Sequence, residues 1–278
     1  MNRMLVLPLV LLTTATVTAR PRADVTRTVY FSAVDSKGGH VTDLAAADLA
    51  VKEGGKDRVI EAVGPATAPM QLSILVDDGG TGGFQGAVSQ LIQATFGKAA
   101  YTIRLLSPQA IKVLDFTESG DDLREAVRRM GPRGRVLADT EQIIAGVNDA
   151  ARELQQLRAR RPLIIVLSAT GEKTQSDLAD EAMRALTSSG ASLSVVYVTG
   201  AELGRVLGDG PRQSGGMIEQ VTGNTALTPA IAKLTNHLRN QYVLTYAVPE
   251  SVKLNERFSL STTRKGVKLI APTRLPDR

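Results

Sequence analysis

The chain has 278 residues, more than most single domains, so we expect one medium-sized domain with a smaller one beside it. Hydrophobic residues make up 43% of it and charged residues 22%, a composition that excludes a disordered protein. The formal net charge is +5, but the basic residues are scattered and only 4% of the residues are aromatic. A nucleic-acid-binding surface combines a basic stripe with stacking aromatic side chains, so we expect no nucleic-acid partner.

The first residues have the pattern of a secretory signal peptide. Arg3 precedes an apolar run, and Val17 and Ala19 have the spacing that a signal peptidase requires. The apolar run is roughly half of the ~20 residues needed to cross a bilayer, which disfavours a membrane anchor. The chain contains no cysteine, so neither disulfides nor a lipid-modified cysteine are available. We expect residues 1–19 to be removed and the protein to be exported to the periplasm or the medium, not embedded in a membrane.

Residues 28–63 have short alternating or apolar segments separated by the glycine-containing turns DSKGG and EGGK. Strands joined by tight turns have this punctuation, so the block is predicted to be a small β unit. The next residues, 64–69, contain a glycine and two prolines and are predicted to be a linker.

From residue 70 to residue 240, apolar runs of strand length alternate with segments of helical period. Runs such as LIIVL and LSVVYV show no polar alternation, which is typical of strands covered on both faces in a parallel sheet. The predicted strands are 72–76, 101–106, 111–116, 163–167 and 193–198, and the predicted helices are 84–96, 121–130, 141–157, 177–188 and 229–240.

This alternation predicts an α/β doubly wound, mostly parallel sheet. One exception is the segment from 101 to 116, where two strands are separated by a short turn containing Ser-Pro. A parallel crossover needs a longer connection, so one antiparallel strand is expected at the edge of the sheet. Residues 241–272 return to strand alternation. They are predicted to pack with residues 28–63 in a small antiparallel β subdomain beside the α/β domain of residues 70–240.

Asp77 and Asp78 follow the first strand of the α/β domain and precede a helix, in the turn DDGGTGG. Ligands of open α/β sheets bind in the crevice at the carboxyl ends of the strands, where this turn lies. A phosphate-binding loop would have a lysine after its glycines, and none follows here. Carboxylate and hydroxyl oxygens suit a hard divalent cation better, which makes Asp77, Asp78 and Thr81 candidate ligands.

A strand ending in aspartate, a turn of glycine and hydroxyl residues, an edge hairpin and a threonine before a long helix together resemble a von Willebrand factor type A domain. That family binds a metal ion through Asp-x-Ser-x-Ser after the first strand, a threonine from a second loop and an aspartate after the fourth strand. The resemblance places Asp77 at the aspartate, Gly79 at the first serine, Thr81 at the second and Thr140 at the threonine.

The third loop of the resemblance is the segment VLSATGEK, where the family has a Thr/Ser-Asp-Gly turn. Ser168 lies in this loop, and the position of the aspartate holds Thr170, or Ala169 if the alignment slips by one residue. The resemblance therefore implies a degenerate metal ion-dependent adhesion site that lacks one hydroxyl and one carboxylate ligand. Asp78 is a candidate substitute for the missing acid.

The flanking segments resemble those of bacterial exported VWFA-related proteins, so the resemblance covers nearly the whole chain after residue 19. It implies a non-enzymatic module that binds an unknown protein partner through the loops around Asp77, Thr140 and Thr170. Its cofactor would be none, or a weakly bound Mg²⁺, Mn²⁺ or Ca²⁺. The alternatives are a metal-dependent adhesin that binds a carboxylate of its partner and, less favoured, a metal-dependent hydrolase. In a purely structural role, Asp77 orders its loop and either Thr140 or Asp139 caps the following helix.

Catalysis has little support. The chain has no cysteine nucleophile, and its only two histidines are not expected near the strand ends of the α/β domain. We expect His40 to be exposed in a turn and His237 to lie on the surface of the last helix. The cluster RARR, residues 158–161, is predicted to be a solvated helix end. Residues 208–216 are interpreted as a surface loop more readily than as a phosphate loop. Tyr242 and Tyr246 share one strand face and are predicted to be core residues.

Overall fold

The computed structural model describes residues 24–134, 139–173 and 177–277. The predicted signal peptide, residues 1–19, lies outside the described residues. The strands are β1 Val25–Val34, β2 Leu49–Glu53, β3 Lys56–Arg58, β4 Ile60–Pro65, β5 Met70–Asp77, β6 Ala99–Leu105, β7 Ile111–Thr117, β8 Pro162–Ser168, β9 Ser192–Val198, β10 Ile218–Val221, β11 Tyr242–Val248, β12 Phe258–Thr262 and β13 Lys268–Ile270. The α-helices are α1 Gln85–Thr95, α2 Gly120–Arg129, α3 Thr140–Gln156, α4 Leu178–Ser189, α5 Gly210–Ser214 and α6 Leu227–Arg239.

The central sheet has the strand order β10-β9-β8-β5-β6-β7 within the described residues. Its neighbouring strands pair in parallel except for β7, which runs antiparallel to β6 at one edge. The predicted fold class is therefore confirmed, including the antiparallel edge strand. The chain passes from β5 to β6 and β7 on one side and returns to β8 on the other. This reversal opens a crevice where β5 and β8 end, which we call the carboxyl edge.

Helices cover both faces of the central sheet. On one face α1, α2 and α6 bury an apolar cluster against it, and on the other face α3 and α4 do so. β5 and β8 lie between these layers, and their apolar residues are buried. Continuous apolar runs are stable only where both faces of a strand are covered, so this packing explains the lack of alternation in their sequences.

The two ends of the described chain meet in antiparallel sheets, as predicted. β13-β1-β11-β4 form one sheet and β12-β2-β3 another. Phe31 stacks on Tyr242 with ring centroids 5.1 Å apart, and Tyr246 stacks on Phe258 at 5.8 Å. Both tyrosines are buried, which confirms their prediction as core residues. Gly64 and Pro65, at the start of the predicted linker, are the last residues of β4.

The prediction that residues 158–161 form a solvated helix end is wrong for Arg161. This residue immediately precedes β8, and only 4% of its surface is exposed. Its guanidinium donates hydrogen bonds to the carbonyls of Ala66, Ala68 and Leu238 and to the side-chain oxygen of Gln241. Arg161 therefore ties the segment before β5 to the end of α6 and the start of β11.

The predicted surface position of His237 is also wrong, because only 2% of it is exposed. Its ring atom Nδ1 lies 2.8 Å from the hydroxyl of Ser32 on β1, so α6 packs directly on the terminal sheet. The helical period correctly predicted an amphipathic helix here. It could not show that a second sheet covers the face of α6 that carries His237. His40 is partly buried.

Residues 208–216 are not the predicted surface loop. They contain α5, whose first residues Gly210 and Pro211 are buried. A Cβ at Gly210 would lie 2.8 Å from a methyl group of Leu193, so glycine permits close contact between α5 and β9. The sequence analysis also missed β10, a four-residue strand that adds the outermost parallel pairing to β9.

Candidate functional site

Asp77 is the last residue of β5 and is completely buried at the carboxyl edge. Its carboxylate atom Oδ2 accepts hydrogen bonds from the Ser168 hydroxyl at 2.7 Å, the Thr170 amide at 3.1 Å and the Thr170 hydroxyl. Parallel pairing sets Asp77 opposite Ser168, which explains why these groups meet. The structure thus joins the first and third loops of the predicted site through Asp77.

Asp78 is also buried, and its carboxylate pairs with an arginine that the sequence analysis did not identify. Atom Oδ1 accepts hydrogen bonds from the amide of Gly80 at 2.9 Å and from Nη2 of Arg133 at 3.0 Å. The Arg133 amide donates to the carbonyl of Gly80 at 2.8 Å, and its guanidinium also donates to the carbonyls of Met130 and Gly131. Arg133 therefore holds the DDGGTGG turn to the loop that follows α2.

The glycine at position 80 is required by this close approach. Gly80 has φ +74°, a left-handed conformation that side chains rarely adopt. A Cβ there would lie 1.8 Å from the carbonyl oxygen of Gly134. Gly80, one of the four glycines of the DDGGTGG turn, thus serves to pack two loops against each other.

The two threonines assigned to the site are used differently. Thr81 is exposed, and its hydroxyl donates to the Asp78 carbonyl at 2.8 Å and accepts from the Gly83 amide at 3.1 Å. Those bonds hold the turn itself. Thr140 is buried as the first residue of α3. The cap of α3 is Asp139, whose side chain accepts from the Gln142 amide at 2.7 Å.

The charges at the carboxyl edge fit a full divalent-cation site poorly. Asp77 Oδ1 and Asp78 Oδ2 are buried and have no hydrogen-bond partner among the described residues, which is the feature that favours a cation. Against it, the Arg133 guanidinium already supplies one positive charge to Asp78. The hydroxyl of Thr81 forms hydrogen bonds within its own turn, and Gly79 has no side-chain ligand atom. In the part of the chain that the structure describes, no three Asp, Glu or His residues form a group able to hold a metal.

Glu172 anchors the third loop and was missed by the sequence analysis. Its buried carboxylate accepts hydrogen bonds from the amides of Val206 at 2.8 Å and Leu207 at 2.8 Å. Burial raises the pKa of Glu172, and these amide donors partly oppose that shift. The amide of Glu172 donates to the carbonyl of Glu202 at 2.7 Å. The loop carrying Ser168 and Thr170 is therefore fixed to the loop after β9.

All six predicted site residues lie at or just after the ends of β5 and β8, or at the start of α3. They are Asp77, Asp78, Thr81, Thr140, Ser168 and Thr170. The hydrogen bonds of Asp77 join the first and third loops, and the ion pair of Asp78 adds the loop that carries Arg133. Arg133 could have been suspected from the sequence, because the segment GPRGR has the glycines and proline of a tight loop just before the second predicted ligand loop. Nothing in the local sequence of Glu172 indicates a role.

No family sequence model matches the chain, and no curated protein matches it by sequence. A von Willebrand factor type A structure from Catenulispora acidiphila has a similar fold, with 9% identity and a TM-score of 0.49 over 95% of this chain and 76% of that one. Proximal thread matrix protein 1 from the mussel byssus, with a zinc-occupied MIDAS motif, has 9% identity and a TM-score of 0.49 over 66% of this chain. The similarity covers 48% of the mussel protein, so this chain corresponds to about half of its length.

A further similar structure is the conserved hypothetical protein BatB from Bacteroides thetaiotaomicron, with 14% identity and a TM-score of 0.42 over 62% of this chain and 99% of that one. The likeness in all three cases is one of fold. No helix in the described part of the chain is both long and apolar enough to span a membrane. The mostly parallel sheet of this chain, with one antiparallel edge strand, is the fold that the sequence resemblance to a von Willebrand factor type A domain predicts.

Proposed function

We propose that the protein is an exported, non-enzymatic module that binds a protein partner through the loops at the carboxyl edge, without a full metal site. The observation that supports this most is the ion pair of Asp78 with Arg133. A guanidinium and several hydroxyl and amide donors already hold the edge loops together. The loops are thus ordered before a partner arrives, which lowers the entropy that binding must overcome.

The surface offered to a partner consists of the residues that cover these contacts. Thr81 in the DDGGTGG turn, Pro132 beside Arg133 and Asp139 at the start of α3 are exposed. A hydroxyl beside an imidazole can act as a nucleophile, and Ser32 and His237 form such a pair. Both residues are almost fully buried, so a substrate cannot reach them. The carboxyl edge therefore supports recognition by shape and hydrogen bonding more than catalysis.

The binding proposal is tested by site-specific photo-crosslinking. A photoreactive amino acid replaces Thr81 in one variant and Lys98, exposed before β6, in the control. We expect a discrete protein adduct from position 81 in extracts of the source cells, formed equally with chelator and with Mg²⁺, and none from position 98. An adduct that needs Mg²⁺ would support the metal-dependent adhesin. Equal labelling from both positions, or none from position 81, would contradict the proposal.

A second candidate function is the metal-dependent adhesin, favoured by the two unpartnered oxygens Asp77 Oδ1 and Asp78 Oδ2. Thermal unfolding with Mg²⁺, Mn²⁺ or Ca²⁺ against chelator separates the two functions. A ligand that binds only the folded state at 100 times its dissociation constant adds about 2.7 kcal/mol. We expect no shift for the natural protein. A shift that is lost in Asp77→Ala would establish the adhesin instead.

A further inference from the structure

A cleft of about 190 Å³ lies at the opposite end of the central sheet, where β8 and β9 begin; we call this the amino edge. It is bounded by β1, by the end of α4 and by residues 272–276. Much of its wall is apolar, including Val29, Leu163 and Leu186. By this measure a site for one water molecule needs roughly 10–15 Å³, so the cleft has room for a small organic group.

The wall of the cleft carries positive charge. Arg160, Arg161 and Arg274 line it, and no acidic residue lines it among the residues that the structure describes. Arg274 is paired with Glu256 at 3.1 Å, so its charge is balanced. Arg161 has no carboxylate partner in the described chain, because its guanidinium bonds are to neutral oxygens. It therefore contributes a fixed positive charge but no spare N–H group.

Three hydrogen-bond donors at the cleft are unused. Arg160 is exposed and forms no ion pair within the described residues. The hydroxyl of Tyr30 lacks a hydrogen-bond partner there, and so does the buried hydroxyl of Ser192. Burial raises the pKa of Tyr30, an effect that the positive charges of Arg161 and Arg160 only reduce. The Tyr30 hydroxyl consequently stays protonated and able to donate.

One opposing charge must be compared with these donors. α4 ends at Ser189 beside the cleft, and the last carbonyls of a helix carry about −0.5 of an elementary charge. Arg160 and Arg161 together carry two full positive charges. The guanidinium of Arg161 also lies 5.6 Å from the ring centre of Tyr30, which fixes that ring against it. The net charge at the cleft is therefore positive.

We propose that this cleft binds a carboxylate attached to a small apolar group, with Arg160 and Tyr30 donating to the carboxylate. Ser192 is a third donor deeper in the wall, and Arg161 supplies long-range attraction. Donors to an ionised oxygen are about twice as strong as those to a neutral one, so an anion gains most from these groups. The carboxylate could belong to a free small acid or to the C-terminus of a peptide.

The test is calorimetric titration of the purified protein with three probes. These are N-acetyl-alanyl-leucine with a free carboxylate, the same compound as its C-terminal amide, and 4-methylpentanoate. The variants are Arg160→Gln and Tyr30→Phe, with Arg239→Gln as the control, because Arg239 is also exposed but does not line the cleft. Thermal unfolding of each variant checks that the fold is unchanged.

We expect saturable binding of at least one carboxylate probe, roughly tenfold weaker in Arg160→Gln and in Tyr30→Phe and unchanged in Arg239→Gln. Tighter binding of the peptide indicates a peptide C-terminus as ligand, and tighter binding of 4-methylpentanoate indicates a free acid; both support the proposal. Absence of saturable binding in the millimolar range overturns it. So does binding of the amide as tightly as the acid, or binding that Arg160→Gln leaves unchanged.

Discussion

At the carboxyl edge of the central sheet one of two buried aspartates pairs with an arginine, whereas at the amino edge a buried arginine is surrounded by neutral oxygens. Asp78 is neutralised by Arg133, and Asp77 is held by hydroxyl and amide donors. Arg161 is held by carbonyls, including that of Leu238 at the end of α6. A helix C-terminus carries partial negative charge, so it can replace a carboxylate as a partner for a guanidinium.

This difference shows two ways of compensating a buried charge: an opposite charge with added hydrogen-bond donors for Asp78, and neutral oxygens alone for Arg161. Polar groups buried without partners cost several kcal/mol, so every such charge must be matched by donors or acceptors. At the carboxyl edge the match joins loops that are candidates for binding. At the amino edge it joins the central sheet to the terminal sheets. We therefore expect changes at the amino edge to cost more global stability.

The largest effect is expected from Arg161→Met. The substitution keeps much of the apolar stem but removes the donors to Ala66, Ala68, Leu238 and Gln241. Several buried oxygens lose their partner at once, so we expect a loss of about 4 kcal/mol in the free energy of unfolding, measured in urea. Arg160→Met, the exposed neighbour, is the control and should change it by less than about 0.5 kcal/mol. Equal losses in the two variants would contradict the role assigned to Arg161.

The next largest effect is the response of the amino-edge interface to acid. Burial lowers the pKa of His237 to about 4, with His40 and Arg161 adding to the shift. The unfolded value is higher, near 6.5, so the folded state binds the proton more weakly. Stability is complete above pH 6.5 and falls by about 3 kcal/mol as the pH drops from 6.5 to 4.

Urea unfolding at a series of pH values measures this loss. In His237→Gln the part of the pH dependence between 6.5 and 4 should disappear, because glutamine does not titrate. His40→Gln is the matched control and should retain most of it. If His237→Gln keeps the full dependence, the buried imidazole is not its source.

At the carboxyl edge, Arg133→Met tests whether the guanidinium neutralises Asp78. The carboxylate left behind is 1% exposed and loses its charged partner, so we expect a loss of about 2 kcal/mol. Asp78→Asn in the Arg133→Met background should recover part of that loss, because the unpaired charge is gone. Urea unfolding of the two single variants and the double variant gives the coupling energy. Additive losses would show that the pair does not interact.

The fold was predictable from the sequence because periodicity reports how each element is covered. Uninterrupted apolar runs indicated the parallel strands, and the short Ser-Pro turn after Leu106 indicated the antiparallel edge. Asp77 was found because a strand end marks the crevice of such a sheet. The segment GPRGR indicated a tight loop at Arg133, but the partners of Arg133, Arg161 and His237 could not be assigned, because they are 55, 80 and 205 residues away in the chain. The periodicity of hydrophobic residues does not show which distant part of the chain will cover a polar side chain.

The smallest effect is expected at the start of α3, where the sequence left Asp139 and Thr140 as alternative caps. The Asp139 side chain accepts from the Gln142 amide at 2.7 Å, and the Gln142 side chain accepts from the Asp139 amide at 3.0 Å. Asp139→Ala removes this cap and should lower the free energy of unfolding by about 1 kcal/mol. Asp139→Asn keeps an acceptor oxygen and should be nearly neutral in the same urea experiment. If asparagine loses as much as alanine, the negative charge of Asp139 at the N-terminus of α3, and not its hydrogen bond, stabilises the start of the helix.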